Sequence, residues 1–243
     1  MTDVSAISER KTRVLADILA QFCPAPRDIL VVGCGDGQEA GILARYFAAK
    51  TVGIDLSPQS PRARAAAAPA ELLEMDAQQL SFPDGSFDLV YSFHALEHIA
   101  SPGKALSEMT RVLRFGGAFC VGTPNKQRLV GYVGAPASLA DKVSWNLSDW
   151  RMRVTGRWEN ARGAHAGFHS AELLAMCREH FGDATEVSDR YYRQLYARHA
   201  AFLNPILATS LKWLILPCCY TIGIKQRSAA ATSPAQREPA SAC

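Results

Sequence analysis

The sequence predicts an α/β protein built on a doubly wound sheet, and three observations carry that expectation. Short, nearly all-apolar runs such as Asp28–Val32 recur along the first half, as strands buried on both faces require. Amphipathic helical segments separate these runs, which is the alternation that produces a parallel sheet covered on both faces. A glycine cluster, Gly33-Cys34-Gly35-Asp36-Gly37, follows the first run at once, and such loops lead from a strand into a helix.

Val14, Leu15, Ile18, Leu19 and Phe22 recur at helical spacing, predicting a helix over 8–22 that Pro24 and Pro26 stop. Asp28–Val32 is the first strand, Glu39–Ala49 a helix, and Thr51–Ile54 a second strand ending in Asp55. The Ala/Pro-rich residues 58–70 read as helix or loop. Leu72–Met75 and Phe87–Ser92 are the third and fourth strands. A helix over Pro102–Leu113 puts Leu106, Met109, Val112 and Leu113 on its apolar side; Gly116-Gly117 ends it, and Ala118–Gly122 is a fifth strand.

The second half is less regular. Residues 126–165 combine Trp145, Trp150 and Trp158 with Arg151, Arg153, Arg157 and Arg162, a pattern that suits either an anionic or planar ligand or a solvated face. His169–Phe181 returns to a helix with Ser170 as N-cap. Thr185–Arg193 and Tyr220–Lys225 read as edge strands. Asn204–Cys219 is apolar around most of a helical wheel, so it packs internally, pairs with a second copy, or lies in a membrane interface as a peripheral contact. The organisation expected is one domain over 1–227, with a core at 27–125, a cap insertion at about 126–168, an apolar helix at about 204–219, and a disordered Ala/Ser/Pro-rich tail at 228–243.

Composition narrows the class. The chain has 243 residues, 48% hydrophobic and 20% charged, which suffices for a real core. A net charge of +3 is too small to argue for nucleic acid. Cysteines at 23, 34, 120, 177, 218, 219 and 243 form no CxxC pair and no zinc spacing, which reads as reduced thiols in a cytoplasmic setting. Met1–Arg13 lacks the apolar stretch of an export signal, and Ile206–Leu216, the most hydrophobic stretch, falls short of the roughly 18–20 residues of a spanning helix.

A loop that leaves a strand and opens a helix presents unpaired N–H groups, and glycine there admits a ligand close to the backbone. Asp55, 22 positions after Gly33, falls where a carboxylate can take ribose hydroxyls. That logic fits a nicotinamide dinucleotide and S-adenosylmethionine alike. The dinucleotide fingerprint needs a small residue where this chain has Gln38, which disfavours a nicotinamide oxidoreductase.

Four blocks then decide the matter: ILVVGCGDG, VGIDLS, EMDAQQLSFPDGSFDLVYSFHALEHI and RVLRFGGAFCVGTPN, spanning about residues 29–125. Together they resemble the class I S-adenosylmethionine-dependent methyltransferases, of the methyltransferase type 11-like kind. The resemblance implies a Rossmann-like sheet of about seven strands with helices on both faces, and S-adenosyl-L-methionine as cofactor. It implies that Gly33, Gly35 and Gly37 face the methionine moiety, with Cys34 beside them, and that Asp55, with Leu56 next to it, meets the ribose. Asp76 would take the adenine amino group, Ala77 would lie near the ring, and Ser92, Phe93 and His94 would border the transferred methyl.

Methyl transfer from a sulfonium is an in-line displacement, so alignment in a dry pocket is the main requirement. An oxygen or nitrogen nucleophile can also need a base, for which histidine is suited. His94-Ala95-Leu96-Glu97-His98 follows the fourth strand, and on a helix 94, 97 and 98 would share a face. The segment reads three ways: a zinc-protease-like H-x-x-E-H, a divalent metal site, or a hydrogen-bonding and packing element. Similar ubiquinone-pathway O-methyltransferases carry a carboxylate where this chain has His94, so no metal is assigned. His94, His98 and, before the closing helix, His165 are the catalytic candidates.

The acceptor expected is a small molecule or a lipid- or glycan-linked metabolite, methylated at oxygen. Enzymes acting on adenine or cytosine amino groups usually carry an Asn/Asp-Pro-Pro-aromatic tetrad where this chain has Ser92-Phe93-His94-Ala95, which argues against nucleic-acid bases as the acceptor. The alternatives are a non-catalytic subunit of this fold that stabilises a partner enzyme, or a methyltransferase acting on protein or RNA.

Overall fold

The computed structural model describes residues 4–57, 65–132, 137–162 and 166–226. A seven-stranded sheet runs in the order β3-β2-β1-β4-β5-β7-β6, with β1 at Asp28–Val32, β2 at Lys50–Asp55, β3 at Glu71–Glu74, β4 at Phe87–Phe93, β5 at Leu113–Pro124, β6 at Gly182–Glu186 and β7 at Cys218–Lys225. β1 to β5 are parallel, while β7 runs antiparallel to both β5 and β6. The doubly wound α/β architecture expected from the alternation is the one observed.

Helices cover both faces. On one lie α1 (Val4–Leu19), α2 (Gln38–Phe47) and α6 (Ser188–Leu195); Leu15, Ile18, Leu43, Tyr191 and Leu195 pack there against Ile29, Val31, Leu89 and Tyr91. On the other lie α3 (Pro102–Val112) and α5 (Ser170–Phe181), whose Leu106, Met109, Leu173 and Phe181 meet Leu30, Val90, Phe119 and Val121. Phe119 and Phe181 stack at 3.9 Å. Alternate residues of each central strand therefore feed different cores, which is why β1 and β4 read as unbroken apolar runs.

The Phe-Pro-Asp-Gly-Ser-Phe-Asp segment ties the base of this sheet. Arg114, early in β5, pairs with Asp88 and lies 3.1 Å from Asp28, and it donates to the Ser86 carbonyl at 2.8 Å. Asp88 also accepts from the Arg27 and Asp28 N–H groups at 2.8 and 3.1 Å. Burial opposes ionisation of Asp88, yet Arg114 and these two amides outweigh it and hold the carboxyl below its ordinary value. Three strands are pinned by one guanidinium.

Four expectations need correction. Gly116-Gly117 do not end α3: the helix stops at Val112 and β5 begins at Leu113, with Gly116 (φ +78) in an irregular stretch that brings Arg114 to Asp88. Thr185–Arg193 is not a strand throughout, because β6 ends at Glu186 and α6 follows; Tyr191, Tyr192 and Leu195 bury one helical face. β7 is not an edge strand but lies between β5 and β6, as its mostly buried residues require. The apolar segment 204–219 is not one helix: α7 (Ala200–Leu207) and α8 (Lys212–Ile215) are separated by a turn at 208–211, and Cys218-Cys219 already belong to β7. In addition, the N-cap of α5 is His169 rather than Ser170, with the Glu172 carboxylate accepting from its N–H at 3.3 Å.

The insertion carries α4 (Leu139–Val154), started by Ser138 and Asp141 in a reciprocal capping box. Arg128 and Arg153 stand 5.1 and 4.2 Å from the ring centre of buried Trp158, and Arg153 donates to the Lys126 carbonyl at 3.0 Å. Trp158 and Arg153 of the Trp/Arg pattern are thus internal structure, while Trp145, Trp150, Arg151 and Arg157 are exposed. The 228–243 tail lies outside the described residues.

Gly167 closes the insertion onto β5. Its φ is +76, and a Cβ there would stand 1.8 Å from the Pro124 carbonyl oxygen. Gly167→Ala therefore adds backbone strain and a clash with main chain, each about 1–3 kcal/mol. Chemical denaturation should show a loss of about 3 kcal/mol; an unchanged midpoint would refute the packing described.

Candidate active site

The chain departs from β1 in both directions across the sheet, to β2 and β3 on one side and to β4 and β5 on the other. A crevice forms at the carboxyl ends of the strands where the order reverses. There a cavity of about 380 Å³ opens, lined by Gly33, Asp55, Leu56, Asp76, Ala77, Gln78, His94, His98 and neighbouring apolar residues. That volume lies within the roughly 300–1,000 Å³ of small-molecule sites.

The glycine loop is folded over the tip of β2. The Gly33 and Cys34 N–H groups both donate to the Ile54 carbonyl at 2.9 Å, and the Gly35 N–H donates to Asp55 Oδ2 at 2.9 Å. Gly33, Gly35 and Gly37 have φ of +70, +51 and +73, a region that glycine adopts without strain. Their surroundings differ. A Cβ on Gly33 would meet Ala95 at 2.2 Å and one on Gly37 would meet Ala67 at 2.6 Å, whereas at Gly35 nothing lies within 4 Å.

Five of the residues expected at the cofactor do not line this cavity: Cys34, Gly35, Gly37, Ser92 and Phe93. Cys34 is buried against Gly53, and burial first, then the nearby Asp55 carboxylate, pushes its thiol up to about 12. A side chain on Gly37 would meet Ala67 and Leu72, which pack closely over it. Phe93 stacks on Tyr220 at 5.5 Å, behind His94. Ser92 is buried at the end of β4, and its hydroxyl has no hydrogen-bond partner among the described residues. Gly35 stands beside the cavity with open space on its Cα. The other expected residues (Gly33, Asp55, Leu56, Asp76, Ala77 and His94) do meet at the cavity.

Asp55 and Asp76 present carboxylates at the ends of neighbouring strands β2 and β3. The Asp76 carboxylate is steadied by the Gln78 N–H at 2.8 Å. Gln78 itself, one position beyond the expected Ala77, also lines the cavity.

His94, Glu97 and His98 do come together, though not on an α-helix. His94 has a φ of +53 and precedes a 3₁₀ turn, Leu96–His98. Its Nδ1 is 3.1 Å from Glu97 Oε1, and the His98 Nε2 stands 3.9 Å from the same oxygen. The Glu97 side chain is fully buried, while the two imidazoles are each nearly half exposed, on the cavity side. The other face of His94 meets a residue that nothing local in the sequence could indicate: Cys218 Sγ, at the start of β7, is 3.4 Å from His94 Nε2. Burial works against an imidazolium here, but the Cys218 sulfur and the Glu97 carboxylate outweigh it and raise His94 to about 10. His94 is thus held between Glu97 and Cys218 through both of its ring nitrogens.

His165 lies outside the described residues. Among the described residues no cluster of three or more His, Cys, Asp or Glu side chains is arranged to hold a metal ion.

Comparison with known proteins agrees with this geometry. A family model described as a methyltransferase domain matches residues 30–121. A probable S-adenosylmethionine-dependent methyltransferase of Mycolicibacterium smegmatis is 36% identical over 73% of this chain and 68% of its own. The 27-O-demethylrifamycin SV methyltransferase of Amycolatopsis mediterranei is 34% identical over 49% of this chain and 47% of its own; the chain thus spans about two thirds of the first relative and about half of the second. A putative sarcosine dimethylglycine methyltransferase from Galdieria sulphuraria has the same fold, with a TM-score of 0.56 over 89% of this chain and 86% of its own at 16% identity.

The protonation of His94 is directly measurable. Replacing Glu97 by Gln removes the buried anion that favours the imidazolium, so the His94 pKa should fall by at least about one unit. Titration of ring-labelled histidine by NMR reads this. A wild-type His94 that already titrates near an ordinary histidine value would contradict the ion pair.

Proposed function

The chain belongs to the S-adenosylmethionine-dependent methyltransferases, and from that membership and the chemistry of the cavity we propose that it methylates an oxygen of a small or lipid-linked acceptor. The residues present suit the cofactor. Two carboxylates at neighbouring strand ends, Asp55 and Asp76, face the cavity and offer acceptors for ribose hydroxyls and an exocyclic amino group. Gly35 leaves open space at the loop. When bound, the cofactor supplies a methyl group already activated by a sulfonium.

The observation that carries the acceptor reading is the pair of histidines sharing Glu97. An oxygen nucleophile loses a proton on methylation, and a histidine at the cavity wall can receive it. His94, whose two ring nitrogens already meet Glu97 and Cys218, is a positioning residue that fixes this wall of the cavity. His98, on the same wall, is then the proton acceptor in this reading. A relative that methylates the 27-oxygen of a demethylrifamycin supports oxygen as the target atom.

Two experiments test this. Calorimetry should detect binding of S-adenosylhomocysteine to the wild type, and Asp55→Ala should weaken it about ten- to hundredfold, the worth of charge-assisted hydrogen bonds at about 1.5–3 kcal/mol; unchanged affinity would remove Asp55 from the site. His98→Ala should lower kcat about a hundredfold at nearly constant affinity for S-adenosylhomocysteine. A variant with full kcat would leave His98 without the role assigned to it.

A further inference from the structure

We propose that the insertion helix and the segment before β7 form one docking face that seats this protein on an anionic membrane. The inference rests on the lipid-linked branch of the acceptor reading and names the surface from which such an acceptor would arrive.

On α4, Leu139, Val143, Leu147, Trp150 and Val154 are all exposed, Leu139 by 79% and Val154 by 89%. At about 100° per residue these five positions fall within an arc of about 80°. The one buried residue of this helix, Asp149, pairs with Arg128 and lies about 120° round the helix from the centre of the stripe. A continuous apolar stripe on an exposed helix face is unusual for a surface in water.

The stripe continues onto a second segment. The Trp150 indole N–H donates to the Leu129 carbonyl at 2.6 Å, and the Leu129 N–H donates to the Leu214 carbonyl at 2.7 Å. These bonds set exposed Leu129 and Val130 between α4 and α8, where Leu211 and Ile215 are also exposed. Beyond the turn, α7 exposes Phe202 by 82% and Ile206.

Charge selects the occupant. From Arg190 to Gln226 the chain has no Asp or Glu, while exposed Arg193 and Arg198 occur there; Lys212 is paired with Asp189 at 2.9 Å. Exposed Arg151 and Arg157 flank the α4 stripe, and of the two carboxylates on α4, Asp149 is buried and Asp141 caps the helix start. Apolar and aromatic residues rimmed by cations are what an anionic headgroup layer accepts. A two-fold contact between copies would bring this rim against itself, cation to cation.

The face adjoins the site. Asn125, just past β5, donates to the Trp213 and Leu216 carbonyls at 2.6 and 2.8 Å. Two residues on, Cys218 touches His94. A headgroup lifted along residues 213–218 would reach the cavity wall while its apolar chain stayed in the bilayer.

The test uses the full chain in vesicle flotation, with phosphatidylcholine alone and with phosphatidylcholine mixed equally with phosphatidylglycerol. Flotation with the mixed vesicles only is expected. The double variant Leu147→Glu, Leu211→Glu should cut the bound fraction on the order of tenfold and leave calorimetric binding of S-adenosylhomocysteine unchanged. No flotation with mixed vesicles overturns the proposal, as does equal flotation with neutral ones. A dimer by light scattering that the same variant dissolves, without flotation, identifies the face as a contact between copies and equally overturns it. A wild type that fails to bind S-adenosylhomocysteine sinks the functional reading instead, whatever the vesicles show.

Discussion

Everything at the site depends on one topological constraint: β1 is paired in parallel with β2 on one side and β4 on the other. Parallel neighbours require crossovers, and crossovers from β1 and β4 must leave in opposite directions. Backbone N–H groups at the start of α2 and carbonyls at the strand ends are thereby left around one crevice. Asp55 and Asp76 are acidic at the next two strand tips, where they face open space instead of a covering helix. The guanidinium of Arg114 holds β1, β4 and β5 together at the far end of the sheet, so the divergence occurs at a rigid point. Binding chemistry at one end is possible because ion pairing secures the other.

The buried Glu97 carboxylate organises the second half of the site. A lone carboxylate taken out of water is costly unless partnered, and the His94 imidazole is its nearest partner. The positive φ of His94 turns that ring back over the 3₁₀ turn toward Glu97. Glu97 also offsets the charge that a protonated His94 would bring to the cavity wall. One carboxylate thus holds one histidine protonated and stands near another.

The first five strands, α2 and α3 were legible because each rests on local pattern: apolar runs for buried strands, period-3.6 faces for helices. The cavity-lining set of Gly33, Asp55, Leu56, Asp76, Ala77 and His94 was legible for the same reason, since the family blocks place each at a strand end. What failed depends on tertiary context. The close packing of Cys34 and Gly37 against Gly53, Ala67 and Leu72 is not visible in the motif itself. Cys218 reaches His94 across 124 positions, because β7 inserts antiparallel beside β5, and no spacing rule carries that pairing. The α6 helix was hidden by tyrosines, which favour strands by propensity but here recur at helical intervals. The segment 204–219 was apolar enough for a helix, yet Thr209-Ser210 and Pro217 divide it.

The same division explains why a family can share a cofactor and differ in acceptor. The family model ends at residue 121, and every residue that lines the cavity lies within it. Residues 125–132, α4 and the 209–217 segment all attach at the carboxyl end of β5 and the start of β7, joined by main-chain bonds such as Leu129 to Leu214. Their side chains are not constrained by the sheet core, which closes through β4, β5 and β7 irrespective of what the insertion carries. Substitutions on α4, which lines none of the cavity, can therefore leave Asp55 and Asp76 undisturbed. Cys218 is the exception, fixed by its place in β7 and touching His94 directly. It couples the two halves of the chain at the site, so the position of the His94 ring depends on how the segment before β7 is seated.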